Sequence, residues 1–387
     1  MNRRQRASLK YVVLGAVAAL AGSSLTAAEL KLGNAGELEI KGDIRLRQES
    51  KTETGATTSA NKTNNRQRYR LRIGMNYKLD SKLSVKTQLA SGNGEQTSTN
   101  QTFDNNASQK SIFIDMAYVD YKPLDLLAFY GGRMKNPLWQ AYTSDIVWDT
   151  DYNPEGLAES FKMPVGNTRL FANFLQGVIN EDKAGSGAAN KPQYLFSNQV
   201  GVTVPTPLDS RFTLAGALHS WVNERERILT ATTTVPAGKQ AGTNTLTSGK
   251  LANDFRVVEV TGELYTNLPA MDIPLSLQGT FIKNTAHRPE IKPMDDTGYQ
   301  WGGILGKAAN KNAVEVAFFR KISGTDSTVA DIADSDFPGT NRAGNIYWVA
   351  YGLSDVAGLK AKYFDTKAIN GTQKDIQLLQ VDFQVKF

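Results

Sequence analysis

From residue 38 onward, apolar side chains occupy every second position in run after run of about ten residues. The clearest run is the last, where Leu379, Val381, Phe383, Val385 and Phe387 alternate with Gln380, Asp382, Gln384 and Lys386. Period two puts one face of a strand against something apolar and the other against water. Fifteen such runs fall near 38–47, 68–79, 83–90, 112–121, 126–134, 168–179, 193–204, 211–222, 254–266, 273–284, 297–306, 312–322, 344–353, 358–367 and 375–387. Ten residues exceed the usual soluble strand and suit a tilted strand crossing a bilayer.

The connections separate a membrane barrel from a soluble sandwich. Tight turns such as "LDSK" (79–82), "KPLD" (122–125), "PTPLDS" (205–210) and "SDVAG" (354–358) alternate with long polar loops at 48–66, 91–111, 134–156, 223–253, 285–296 and 323–343. Short turns at one end and long loops at the other are the plan of a transmembrane antiparallel β-barrel. Keeping that rhythm requires one more strand, and "GLAESFKMP" near 156–164 supplies it. An all-β barrel of about 16 strands is therefore expected over residues 29–387.

The N-terminus reads as a secretory signal peptide over residues 1–28: a basic start, the apolar stretch Tyr11 to Gly22, then small residues. That stretch is too short for a spanning helix. Removing its four cations, Arg3, Arg4, Arg6 and Lys10, lowers the formal charge from +6 to +2. The chain has no cysteine.

Strand faces follow from charge. In "RQRYRLRIGMNYKL", Tyr69, Leu71, Ile73, Met75, Tyr77 and Leu79 share one face, and Arg66, Arg68, Arg70, Arg72 and Lys78 the other. An arginine facing lipid at the midplane costs roughly 2–4 kcal/mol, so the row must face the lumen. Arg45 and Arg47 on the strand before, and Lys82 and Lys86 on the strand after, extend the same basic wall. The third long loop, about 134–156, carries Asp145, Asp149, Asp151 and Glu155 beside Leu138, Trp139, Tyr142, Ile146 and Trp148. So many large apolar groups do not suit a surface loop. It is expected to fold into the barrel and set its acids opposite the arginines as a constriction. Tyr69, Tyr77, Trp301, Trp348 and Tyr363 are candidates for aromatic girdles at headgroup level.

Other chemistries fit poorly. His219 and Ser220 are strand neighbours and point to opposite faces, so they form no catalytic dyad; His287 has no nucleophile or acid patterned around it. No enzyme, cofactor or nucleic-acid motif is present. Asp149, Asp151, Asn153 and Glu155 are spaced like calcium ligands, but Pro154 replaces the turn glycine and Ser160 the bidentate glutamate. They and the cluster Asp331, Asp334 and Asp336 are weak ion candidates. A plugged transporter would need a plug domain before the first strand, and an adhesin would have no use for a lumenal arginine row.

These features together resemble Gram-negative outer-membrane porins. The stretch "GGRMKNPLWQAYTSDIVWDTDYNPEGLAESF" is similar to a porin family sharing GR-x-x-NP and WD-x-D-x-x-PEG patterns. The resemblance implies an outer-membrane channel for passive diffusion of small hydrophilic solutes, commonly a homotrimer, in contact with lipid and lipopolysaccharide. It also implies that Phe383, Val385 and Phe387 form the signal read by the barrel assembly machinery. The basic wall predicts mild anion preference, with a substrate-specific channel or an adhesin as alternatives.

Overall fold

The computed structural model describes residues 28–31, 36–55, 61–142, 144–181, 191–207, 210–226, 243–248, 250–268, 273–371 and 374–387. Most of the expected signal peptide, and the centre of the loop at 223–253, lie outside the described residues. Ala28 heads a four-residue strand, Ala28–Lys31, that pairs with residues 37–40.

Sixteen antiparallel strands close into one barrel. They are β1 (Glu37–Thr54), β2 (Lys62–Lys78), β3 (Leu83–Ser91), β4 (Ile112–Leu124), β5 (Leu127–Arg133), β6 (Glu155–Val165), β7 (Thr168–Asn180) and β8 (Gln193–Thr206). There follow β9 (Ser210–Val222), β10 (Arg256–Leu268), β11 (Ile273–Asn284), β12 (Thr297–Gly306), β13 (Val314–Ser323), β14 (Arg342–Gly352), β15 (Ala357–Ala368) and β16 (Asp375–Lys386). Each strand pairs with its neighbours in sequence, and β16 pairs with β1 from Asp43↔Lys386 to Thr54↔Asp375. Closure leaves no strand edge unpaired in the membrane, the condition for spanning with sheet. The strand expected near 156–164 is β6.

The first hairpin is longer than its hydrophobic pattern. Residues 49–53 pair with 62–66 although both segments are polar, so most of the expected loop at 48–66 is strand. Apolar alternation marks only the length in contact with lipid, whereas backbone pairing continues as long as two strands run side by side. Residues 101–102 also pair with Arg68 and Tyr69, extending the sheet from within the second long loop.

The outer face carries exposed apolar side chains, among them Ile44, Leu46, Ile114, Leu157, Val200, Val381 and Leu379. Position by position they alternate with buried polar groups such as Arg47, Arg68, Arg70, Gln380 and Asp382. That is the reverse of a soluble protein, with apolar surface outside and ionised side chains inside. The seam is completed by Phe387: its amide donates to the Gly42 carbonyl (3.0 Å) and its carbonyl accepts from the Gly42 amide (2.7 Å). Gly42 is required there, since a Cβ would lie 2.4 Å from the Phe387 ring and 2.6 Å from the Arg72 carbonyl oxygen.

Two sequence expectations are corrected. Trp348 is not a girdle residue: it is 5% exposed on the inner face, stacked on Phe319 at 5.5 Å with its indole N–H donating to Glu315 (2.7 Å). Its strand, "NIYWVAYG", is apolar on both faces, so alternation alone could not say which side was inner. The segment 324–341, expected from its sequence as part of a long polar loop, is nearly all buried, including Asp326, Thr328, Val329, Asp334 and Phe337.

Candidate functional site

The site is built from the inner wall of β15, β16, β1 and β2 together with two loops. Alternation sends Arg45 and Arg47 of β1, and Arg66, Arg68, Arg70 and Arg72 of β2, to the same face, but each meets carboxylates the sequence reading had not paired with them. Arg47 makes two hydrogen bonds to Asp382 (2.7 and 2.9 Å). Arg70 and Arg72 share Asp43, at 2.7 and 2.8 Å. Arg66 lies 2.5 Å from Glu49, and Arg68 3.7 Å from it. Arg45 donates to the neutral Asn100 side chain (2.6 Å). These wall pairs fix the guanidinium groups in place at side-chain exposures that isolated charges would not tolerate.

Lys86 pairs with Asp120 (2.6 Å) and belongs to the inner face. Lys82 is exposed in the tight turn after β2, where its amide donates to Asp80.

The segment between β5 and β6 packs on the wall. Met134, Leu138, Ile146, Val147 and Trp148 form one buried cluster with Leu175, Leu195, Trp221, Val257 and Ile282. Polar contacts hold it as well: Gln199 accepts from the Trp139 amide (2.7 Å), and Ser144 and Thr280 are hydrogen bonded (2.6 Å). Beneath Trp148 lies a buried chain in which His219 bonds Ser197 (2.9 Å) and Glu259 (2.9 Å). Ser220 takes no part. Although Ser197, His219 and Glu259 have the order of a hydrolase triad, Ser197 and His219 are fully buried, so the chain supports Trp148 and admits no substrate.

The acids of this segment do not act as one row against the arginines. Among the described residues only Asp151 comes within ion-pair distance of a predicted arginine, 3.8 Å from Arg72. Asp145 instead meets Lys321 of β13 (3.1 Å). Asp149 accepts from the backbone amides of Asp151 and Ser335 (both 2.9 Å). Glu155 opens β6 on the outward face and pairs with Arg133 (3.0 Å). The weak calcium candidates Asp149, Asp151 and Glu155 therefore do not converge.

The sequence marks 324–341 as a polar loop with Asp331, Asp334 and Asp336 but gives no sign that it shares this site. Its Ile332 carbonyl accepts from the Asp149 amide (2.6 Å), and its Val329 and Ile332 join the apolar cluster of Trp148. Lys321, 1% exposed, bridges the two loops by meeting both Asp145 and Asp334 (3.0 Å). Asp336 faces Arg47 (3.8 Å) and accepts from Gln380 (2.9 Å). Burial, with the nearby Asp334 charge, pushes the Asp145 carboxyl up to about 6 in spite of Lys321. Burial and the charges of Asp151 and Asp334 push Asp149 well above the ordinary carboxylate range.

Between this wall and the loops lies a cavity of about 160 Å³, lined by Arg45, Arg47, Arg70, Asp145, Asp149, Asp151, Asp336, Lys360, Lys362 and Asp382. A second cavity of about 540 Å³ shares Arg45, Arg70, Asp151, Lys360 and Lys362 and reaches the short turns at 307–309 and 354–357. The shared lining places the two side by side, each bordered by ionised groups of both signs.

The family described as "Putative porin" matches residues 26–248 and 227–387. Among solved structures, the chain is similar to OmpF of Salmonella typhi, in complex with daunomycin (11% identity, TM-score 0.54, 93% of this chain and 100% of that one). It is also similar to OprB of Pseudomonas putida at high pH (11% identity, TM-score 0.56, 92% of this chain and 95% of that one). At such identity the likeness establishes the fold alone. No curated protein matches the chain.

Proposed function

From the premise that the chain belongs to the family described as "Putative porin", we propose that it forms a water-filled channel through which small hydrophilic solutes diffuse across the bacterial outer membrane. The observation that carries this reading is the inversion of the barrel: exposed apolar residues outside, and inside a set of ionised groups around these cavities. Such a lumen serves polar solutes in transit and has no value as a packed core. No catalytic chemistry is assigned.

The segment 134–154 acts as a constriction loop, and 324–341 shares that role. Arg45, Arg47, Arg68, Arg70 and Arg72 line the wall opposite them. Because the guanidinium groups are positioned by Asp43, Glu49 and Asp382, the field across the passage comes from ordered charge pairs rather than from a bare positive row. The larger cavity is lined by seven cationic side chains against five carboxylates, and that excess gives mild anion preference. Export by the N-terminal segment, recognition of Phe383, Val385 and Phe387 during assembly, contact with lipopolysaccharide and a trimeric state complete the proposal. Ion conductance of the purified protein in a planar bilayer tests it: discrete steps with a reversal potential favouring anions are expected.

A further inference from the structure

We propose that the passage contains a binding site for a small organic carboxylate, formed by Arg45, Lys360 and Lys362 with Tyr142 offering a face for the body of the solute. The inference rests on the channel reading and names the class of solute that its constriction holds.

The cations that line the passage are not equivalent. Arg47 is committed to Asp382, and Arg70 and Arg72 to Asp43. Lys362, by contrast, has no carboxylate within 4.0 Å among the described residues; its ammonium group lies 4.5 Å from the Phe364 ring centroid and 5.8 Å from that of Trp348. Asp145 and Asp336 act on it only at longer range. Lys360 sits 4.3 Å over Trp348, and its nearest carboxylate oxygen, on Glu315 at 3.7 Å, already accepts the Trp348 N–H. Arg45 is 3.8 Å from an Asp382 oxygen that Arg47 already holds, and its buried Nε has no hydrogen-bond partner.

Register brings the three together. Lys360 pairs with Asp382 and Lys362 with Gln380 across one side of β16, while Arg45 pairs with Gln384 across its other side. All three line both cavities. The acids that could neutralise them are engaged elsewhere: Asp145 and Asp334 hold Lys321, and Asp149 accepts backbone amides. A guanidinium beside two ammonium groups recognises a carboxylate by charge-assisted hydrogen bonds.

The organic part of the solute follows from the other lining groups. Tyr142 is 56% exposed and lines the larger cavity with Ala350 and Val356. A cavity of about 540 Å³ falls within the usual range for small-molecule sites, and an aromatic ring beside cations favours an anion with an apolar body over a fully hydrated inorganic one.

The test is calorimetric titration of the detergent-solubilised full chain with sodium benzoate, with its neutral analogue benzamide and with inorganic phosphate, alongside planar-bilayer recording on the same preparation. Benzoate is expected to bind saturably and about tenfold more tightly than benzamide or phosphate, a difference of about 1.4 kcal/mol. Lys362→Gln alone should weaken it several-fold and the Lys360→Gln/Lys362→Gln variant about tenfold. Lys362 makes no ion pair among the described residues, so its single variant tests the site even where the double variant does not fold. Equal affinity for phosphate, equal affinity for benzamide, no saturable benzoate binding, or parental affinity in Lys362→Gln would each overturn the proposal. A protein that conducts without binding benzoate loses this site and keeps the channel. A protein that binds benzoate and passes no current keeps the site and loses the channel.

Discussion

Arg47 and Asp382 face each other across the seam where the last strand meets the first, joined by two hydrogen bonds of 2.7 and 2.9 Å between residues 335 positions apart. The pair is a direct register contact of β1 with β16, so one lumenal interaction orients a wall arginine and also ties the barrel shut. Both side chains are at most 11% exposed. Asp382→Asn leaves Arg47 only its longer contacts to Asp336 (3.8 Å) and Glu49 (4.0 Å), and breaking a buried pair costs up to about 3–5 kcal/mol. Asp382→Asn should therefore lower the thermal unfolding midpoint, followed as loss of the folded band on unheated gels. Pairing it with Arg47→Gln should recover part of the loss, whereas additive effects would show that the two do not interact.

The outer side of the same seam gives a second prediction. Gly42→Val places a Cβ against both the Phe387 ring and the Arg72 carbonyl, and the carbonyl cannot move aside without breaking the β1–β2 ladder. Assembly into the outer membrane should fall while export persists. Deleting Phe387 removes two seam hydrogen bonds and should act the same way. Outer-membrane and periplasmic fractions measure both; undiminished outer-membrane levels would mean that the contact is dispensable.

Lys321 is the joint between the two loops. Lys321→Met keeps most of the volume but leaves Asp145 and Asp334 facing each other without a cation. The loops should lose their fixed arrangement, visible as noisier and larger single-channel currents. Adding Asp145→Asn and Asp334→Asn should quiet them by removing the repulsion. Currents as steady as those of the parent would place the control of the aperture elsewhere.

Selectivity should depend on pH with a defined sign. The Asp145 carboxyl, raised to about 6, is mostly ionised at pH 7 and mostly neutral at pH 5. Acidification through that window removes negative charge from the passage, so the anion-to-cation permeability ratio should rise, and Asp145→Asn should flatten that part of the response. Its folded value lies above the ordinary 3.8, so the native state binds the proton more tightly than the unfolded chain. This group therefore adds stability as pH falls from 7 towards 4.

Much of the architecture was legible because lipid contact imposes a strict period. The strand near 156–164 alternates weakly, yet the rhythm of turns and loops demanded it. The faces of Arg66, Arg68, Arg70 and Arg72 followed from the cost of charge in lipid. Their partners did not follow, because Asp43, Glu49 and Asp382 are single acids on strands whose pairing geometry only the closed barrel reveals. The segment 324–341 gave little signal: Val329, Ile332 and Phe337 are sparse among Ser, Thr and Asp. Val329 and Ile332 are buried in a cluster with Trp148 of a loop some 180 residues away, and Phe337 in another with Phe319, Trp348 and Phe364 of the wall, contacts with no local periodicity. Lys360 and Lys362 look in the sequence like the ordinary polar half of an alternating strand; what sets them apart is that, among the described residues, Lys362 has no carboxylate within 4.0 Å and Lys360 only one already bonded to Trp348.

If ions and small solutes pass through the lumen of this barrel, single-channel recording of the purified, folded protein in a planar bilayer under a salt gradient should show discrete conductance steps whose reversal potential reports mild anion preference. That preference should weaken at 1 M salt, where the Debye length is only about 3 Å. A bilayer that stays silent with folded protein inserted would contradict the channel reading.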